Sequence, residues 1–171
     1  HNIKMCTDAG CSTACVDGTA KATSPQTVTG LSPATSYYAC VQSVDLAGNT
    51  SVGFVASPAT VTIDTTIPAA ASAVSVPTYS NSTSAVVTFT EGTDTHFDTH
   101  NIKMCTNAGC STACVAGTAK ATSPQTVTGL SPATSYYACV QSVDLAGNTS
   151  VGFIASPATI TIDTAIPAAA S

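Results

Sequence analysis

The stretch GLSPATSYYACVQSVDLAGNTS, Gly30–Ser51, decides how this chain folds, and it returns letter for letter at Gly129–Ser150. Within the second copy, Tyr136, Ala138, Val140 and Ser142 alternate with Tyr137, Cys139, Gln141 and Val143. In an extended chain, successive side chains point to opposite faces, so this alternation predicts a β-strand with one core face. Pro132 stands before it, and Gly147-Asn148 follow it. Both can take the backbone conformations that turns require.

Outward from this stretch, the identity extends much further. His1–Ser72 reappears as His100–Ser171 at an offset of 99 residues. Only five positions differ between the copies: Asp8/Asn107, Asp17/Ala116, Val55/Ile154, Val61/Ile160 and Thr66/Ala165. The segment Ala73–Thr99 occurs once. A period of 99 residues matches the size of a small β-sandwich. Over one period, Thr65–Asp163, short β-type runs alternate with turn residues about every 8 to 12 positions. Ala73–Val76 is a weak strand stopped by Pro77, and Ser84–Thr90 puts Ala85, Val87 and Phe89 on one face. Asn101–Thr106 points Ile102 and Met104 inward and Lys103 and Cys105 outward, while Gln125–Leu130 is a further short strand. Val151–Ile162 closes the period as a strand interrupted near Pro157. No stretch carries a sustained period of 3.6, so the expected fold class is all-β, two packed sheets.

Composition excludes several classes of function. The 171 residues include four Lys, no Arg and nine acids, for a formal charge of −5, and 50 of them are Thr or Ser. So few cations cannot release many counterions from phosphate, which argues against nucleic acid as a partner. No apolar run approaches the length of a membrane span. No nucleophile elbow, phosphate-cradling loop or HExxH helix is present, and acids are too sparse for a glycosidase pair, so the reading is that of a non-enzyme without a cofactor.

The repeated stretch resembles the most recognisable part of fibronectin type III domains. That family shows Leu-x-Pro-x-Thr-x-Tyr entering a strand, and Asp-x-x-Gly-Asn after it in bacterial members. The matching positions are Leu31, Pro33, Thr35, Tyr37, Val41, Asp45, Gly48 and Asn49, and again Leu130 through Asn148. The resemblance implies tandem β-sandwiches, with Tyr37 anchored in the core and its hydroxyl bonded to backbone. The family's usual core Trp is replaced by Phe89. On this reading residues 1–64 are a partial repeat lacking its first two strands, 65–163 a complete one, and 164–171 the start of a following one. Ile63–Ala71 reads as a short Pro-stiffened linker. The open first repeat should expose Ile3, Tyr37 and Val41 and be stable only within a longer chain or a fibre.

Eight cysteines fall as four per repeat, an even number that suits disulfides in a secreted setting. Cys105 and Cys139 point outward on strands that are sheet neighbours in the fibronectin type III topology, while Cys110 and Cys114 lie four residues apart in one loop. The expected pairs are therefore Cys105–Cys139 with Cys110–Cys114, and Cys6–Cys40 with Cys11–Cys15. The rival is a zinc site, against which the C-x4-C-x3-C spacing speaks.

Other groups have plainer readings beside functional ones. His96, Asp98 and His100 alternate, and an extended chain would gather them as weak candidates for a divalent metal; the alternative is a polar loop. Asp45 and Asp144 invite calcium less than they invite hydrogen bonds from turn amides. Asn49, Asn81 and Asn148 head formal glycosylation sequons.

Together these features suggest a structural repeat of a long extracellular or cell-surface prokaryotic stalk or fibre. Its partners would be other copies of the repeat, joined end to end. The alternatives are an adhesin or carbohydrate-binding module with a surface ligand, for which Tyr38, Tyr79, Phe97 and Tyr137 are the exposed aromatic candidates, or a spacer in a secreted hydrolase.

Overall fold

A computed structural model describes residues 1–169 of the chain and contains two compact units, His1–Thr65 and Thr66–Ser171. Both are built of β-strands, with no helix among the described residues. The last two residues of the expected following repeat lie outside the described ones, and 164–169 carry no strand.

The second unit carries two sheets. Its strands are β5 (Ser72–Ser75), β6 (Tyr79–Ser80), β7 (Ser84–Thr90), β8 (Phe97–Cys105), β9 (Val115–Ala116), β10 (Gln125–Thr128), β11 (Thr134–Asp144), β12 (Ile154–Ala155) and β13 (Ile160–Ile162). One sheet has the order β10-β7-β5, and the other β6-β13-β11-β8-β9, with β12 also paired to β11. The alternating pattern of β7 holds, with Ala85, Val87 and Phe89 all buried. They pack against Ile102, Met104, Val127, Tyr136, Val140 and Ile160 from the rest of the unit. Fully burying a Val or Ile side chain stabilises by about 1.5–3 kcal/mol, so the inward faces hold the two sheets together.

The interruption expected near Pro157 separates β12 from β13. Ser156 fills the gap: its hydroxyl accepts the Ala138 amide at 3.0 Å and donates to the Ala158 carbonyl at 2.7 Å. Tyr136 is buried and its phenolic oxygen accepts the Ser131 amide at 3.2 Å, as a tyrosine corner requires.

The first unit consists of β1 (Asn2–Cys6), β2 (Val16–Asp17), β3 (Thr35–Gln42) and β4 (Val55–Ile63). These form one sheet of order β2-β1-β3-β4. Counterparts of β5 and β7 are absent from this unit, and residues 26–29, which match β10, form no strand. An edge needs a partner to become a ladder, and β7 is the partner of β10 in the second unit.

Two expectations need correction here. Val41 is exposed at 39% and Ile3 is half-buried, but Tyr37 retains only 4% exposure. Its hydroxyl accepts the Ser32 amide at 3.2 Å, so the corner bond forms in this unit although it has a single sheet. Nor is Ile63–Ala71 wholly linker: Ile63 ends β4, while Ala71 belongs to the core of the second unit. The Ala69 amide there donates to the Thr93 carbonyl at 3.0 Å. Gly92 lies so close that a Cβ at this position would overlap the Ala69 carbonyl oxygen and the Ser142 hydroxyl.

Candidate functional site

The cysteines of each unit gather in a small cluster of their own, separate from the main core of the second unit. All eight cysteines are paired, but not as the topology had suggested. The bonds are Cys6–Cys15 and Cys11–Cys40, and likewise Cys105–Cys114 and Cys110–Cys139.

Strand register explains the correction. Cys6 sits opposite Tyr38, and Cys40 opposite Lys4, so Cys6 and Cys40 share a face but lie on a diagonal. Diagonal neighbours are separated by about 7–8 Å, against the 4.4–6.8 Å usual between disulfide Cα atoms. In the second unit Cys105 faces Tyr137 and Cys139 faces Lys103 in the same way. Meanwhile β2 pairs with β1 through Met5 and Val16, which brings Cys15 beside Cys6 with a Cα separation of 4.1 Å. Cys11, in a left-handed conformation with φ of 56°, turns back from the loop to reach Cys40.

The loop is shaped by one side chain. Asp8 accepts the amides of Ser12 and Thr13 at 3.0 and 2.6 Å, and the Ser12 hydroxyl at 2.9 Å. Asn107 accepts the amides of Ser111 and Thr112 at 3.0 and 2.9 Å, and donates to the Ser111 hydroxyl at 3.0 Å. The Asp8/Asn107 difference therefore preserves the loop and changes only its charge. The Thr13 amide, then that of Ser12, holds the Asp8 carboxyl below its ordinary value of 3.8.

A small second core covers the bonds. Phe153 and Ala155 pack on Cys105, Cys110 and Cys139, with the Lys103 ammonium 3.8 Å from the Phe153 ring centroid. Phe54 and Lys4 repeat this at 4.1 Å. The sequence reading missed these aromatic–cation pairs. A usable signal was present, since Lys103 and Cys105 share strand parity.

With every sulfur oxidised, this centre offers neither thiolate ligands for zinc nor a nucleophile. It is a covalent clasp. The bond from Cys110 to Cys139 fastens the loop to the unit's central strand, and that from Cys105 to Cys114 closes the loop on itself.

The histidine–acid cluster does not assemble either. A register shift near Asp144 makes β8 irregular, with Val143 opposite Thr99 but Asp144 opposite Phe97. The bulge breaks the alternation that would have gathered His96, Asp98 and His100. His100 is fully buried, and its Nε2 accepts the Gly92 amide at 3.0 Å while Nδ1 lies 3.0 Å from the Ala121 carbonyl oxygen. Since Nε2 accepts, the neutral ring carries its proton on Nδ1. Burial pushes its pKa below the ordinary 6.5. Phe97 is no exposed sugar platform but lies 4.7 Å from the His100 ring. Of the other aromatic candidates, Tyr79 is exposed and Tyr38 and Tyr137 are half-buried.

Asp45 and Asp144 serve their turns. Each accepts two turn amides at 2.8–2.9 Å through Oδ1 and the side-chain amide of Asn49 or Asn148 through Oδ2. Those two sequon asparagines thus have donors engaged inside the turn.

No family profile matches the chain, and no curated protein is similar to it. Solved structures do resemble it. The crystal structure of domains A168-A170 from titin aligns with a TM-score of 0.50 at 22% identity, covering 76% of this chain and 41% of that one. The crystal structure of chicken CNTN1 FN1-FN3 domains aligns at 0.57 and 18%, covering 91% of this chain and 55% of that one. The chain thus spans about half the length of the structures it resembles. With the two-sheet topology and the tyrosine corner, these likenesses establish a fibronectin type III-like fold.

Proposed function

We propose that this chain is a non-catalytic structural repeat of a long extracellular or cell-surface prokaryotic stalk or fibre, joined end to end with further copies of the same repeat. The observation that carries the reading is the pairing of near-identity with cross-linking: two copies differing at five positions, each clasped by two interlocking disulfides. Near-identical units present near-identical surfaces, which suits reiteration. Disulfides suit an oxidising compartment.

The polar groups support a non-catalytic role. His100, Asp144 and the cysteines are committed to backbone or to one another. Low charge adds little self-repulsion between neighbouring copies. In this reading residues 164–171 open the next repeat.

Electron microscopy of the native material tests the reading. A filament with an axial repeat of one domain length is the expected result. Dispersed particles, or a catalytic domain on the parent polypeptide, overturn it.

A further inference from the structure

Of the sequons headed by Asn49, Asn81 and Asn148, the structure separates one from the other two. Asn49 and Asn148 donate their side-chain amides to Asp45 and Asp144, at 2.8 and 2.7 Å. The hydroxyls that complete those sequons are committed as well. Ser51 accepts the Ser43 amide at 3.2 Å, and Ser150 the Ser142 amide at 3.1 Å. Two residues ahead of each asparagine stands an alanine, Ala47 or Ala146.

The run Tyr79-Ser80-Asn81-Ser82-Thr83 is built differently. It turns the chain from β6 into β7, and Asn81, Ser82 and Thr83 are all exposed. The Ser80 hydroxyl braces the turn, accepting the Ser82 amide at 3.3 Å and donating to the Ser84 carbonyl at 2.7 Å. The Asn81 carboxamide has no hydrogen-bond partner among the described residues. Tyr79 is 67% exposed, yet its backbone is pinned: the Thr161 and Asp163 amides donate to the Thr78 and Ser80 carbonyls at 2.9 and 2.8 Å. An aromatic ring is thus held in water two residues before an accessible asparagine, with a threonine two residues after it. Aromatic faces gain from covering by C–H groups, which one side of a pyranose ring presents.

We propose that Asn81 is the chain's preferred site of N-linked glycosylation, and that the first sugar packs its C–H face on Tyr79. The inference stands apart from the stalk or fibre reading and needs only passage through a compartment where oligosaccharides leave lipid carriers. In the transfer, Asn81 Nδ2 bonds to the anomeric carbon of a lipid-linked oligosaccharide. The C–O bond to the lipid diphosphate breaks, and the amide proton leaves with the diphosphate. The glycan would also shield β6, the outer strand of its sheet, from pairing with another chain.

The test secretes the full chain from cells that glycosylate Asn-x-Ser/Thr. Peptide N-glycosidase in heavy-oxygen water then converts each occupied asparagine to a labelled aspartate, located by mass spectrometry. The label is expected at Asn81, well above Asn49 and Asn148. Tyr79→Ala keeps the sequon but removes the ring, so hydrogen exchange in the second unit reads the packing by itself. With Tyr79 present, the glycosylated chain should open about 2- to 10-fold less often than an unglycosylated Asn81→Gln chain, the range of aromatic packing contacts. In the Tyr79→Ala background that difference should vanish. An unmodified Asn81, equal labelling of all three sequons, or a glycan effect that persists without Tyr79 overturns the inference.

Discussion

Because one sequence occupies two environments, a matched pair of substitutions separates packing from local propensity. Val140→Ala removes two methyl groups from a site with no exposure, and Val41→Ala removes the same groups from a site 39% exposed. The neighbours along the strand are identical, so intrinsic strand preference cancels. At about 0.8 kcal/mol per buried carbon, the transfer contribution in the second unit is about 1.6 kcal/mol. The cavity left between Val87, Ile102 and Ile160 raises the total to about 2–3 kcal/mol. In the first unit the lost contact is partial and solvent fills the space, so the cost stays below about 1 kcal/mol. Hydrogen exchange on the full oxidised chain should show the second unit opening roughly 30- to 150-fold more often after Val140→Ala, at about 1.4 kcal/mol per tenfold. The first unit should change less than about fivefold after Val41→Ala. Equal responses would refute the claim that the second sheet, rather than the strand itself, makes the core.

Other expectations are independent of that one. Cys40→Ser should leave Cys11 as the alkylatable thiol, whereas labelling of Cys6 would restore the cross-strand pairing that register disfavours. Removing the bond across Cys110 and Cys139, separated by 29 residues, should cost about 3.6 kcal/mol on chain-entropy grounds, and the nine-residue Cys105–Cys114 bond about 2.7, read by urea unfolding. The two bonds interlock, so pulling a single unit in a force microscope should release on the order of 100 Å more chain when reduced than when oxidised; equal lengths contradict the connectivity. His100 has a native pKa below its unfolded one, so the unfolded state binds more protons. Its contribution is full above about pH 6.5 and is lost as pH falls through the lowered native value, and His100→Leu should flatten the slope of second-unit stability there. Protonated Nε2 would face the Gly92 amide with no acceptor, and the nearby Glu91 charge only partly offsets this. An NMR titration should move the Ser12 and Thr13 amides with a midpoint below 3.8, and leave Ser111 and Thr112 still, since only Asp8 carries a proton to gain.

The five differences between the copies carry a related lesson. Ile160 fills a fully buried site where its extra methylene counts, while Val61 at the matching position is half open to solvent. Asn107 keeps the acceptor geometry of Asp8. Nothing in the structure explains Asp17/Ala116, which lies at the exposed end of the short hairpin strand in each unit.

The sequence by itself determined the longer strands and their inward faces, but not the two-residue strands Val16–Asp17, Tyr79–Ser80 and Val115–Ala116, which are too short to show alternation. Alternation is a property of each strand alone, so Ala85, Val87 and Phe89, or Tyr136 and Val140, could be assigned before any partner was known. The period likewise set the unit, and Leu-x-Pro-x-Thr-x-Tyr marked the corner where Tyr136 bonds the Ser131 amide. Tertiary structure decided what depends on register between strands. A diagonal offset of two residues kept Cys6 from Cys40, and a bulge beside Asp144 dispersed the histidine–acid cluster. It also decided exposure, because burial belongs to the pair of sheets and not to either one: the same valine is core at 140 and surface at 41.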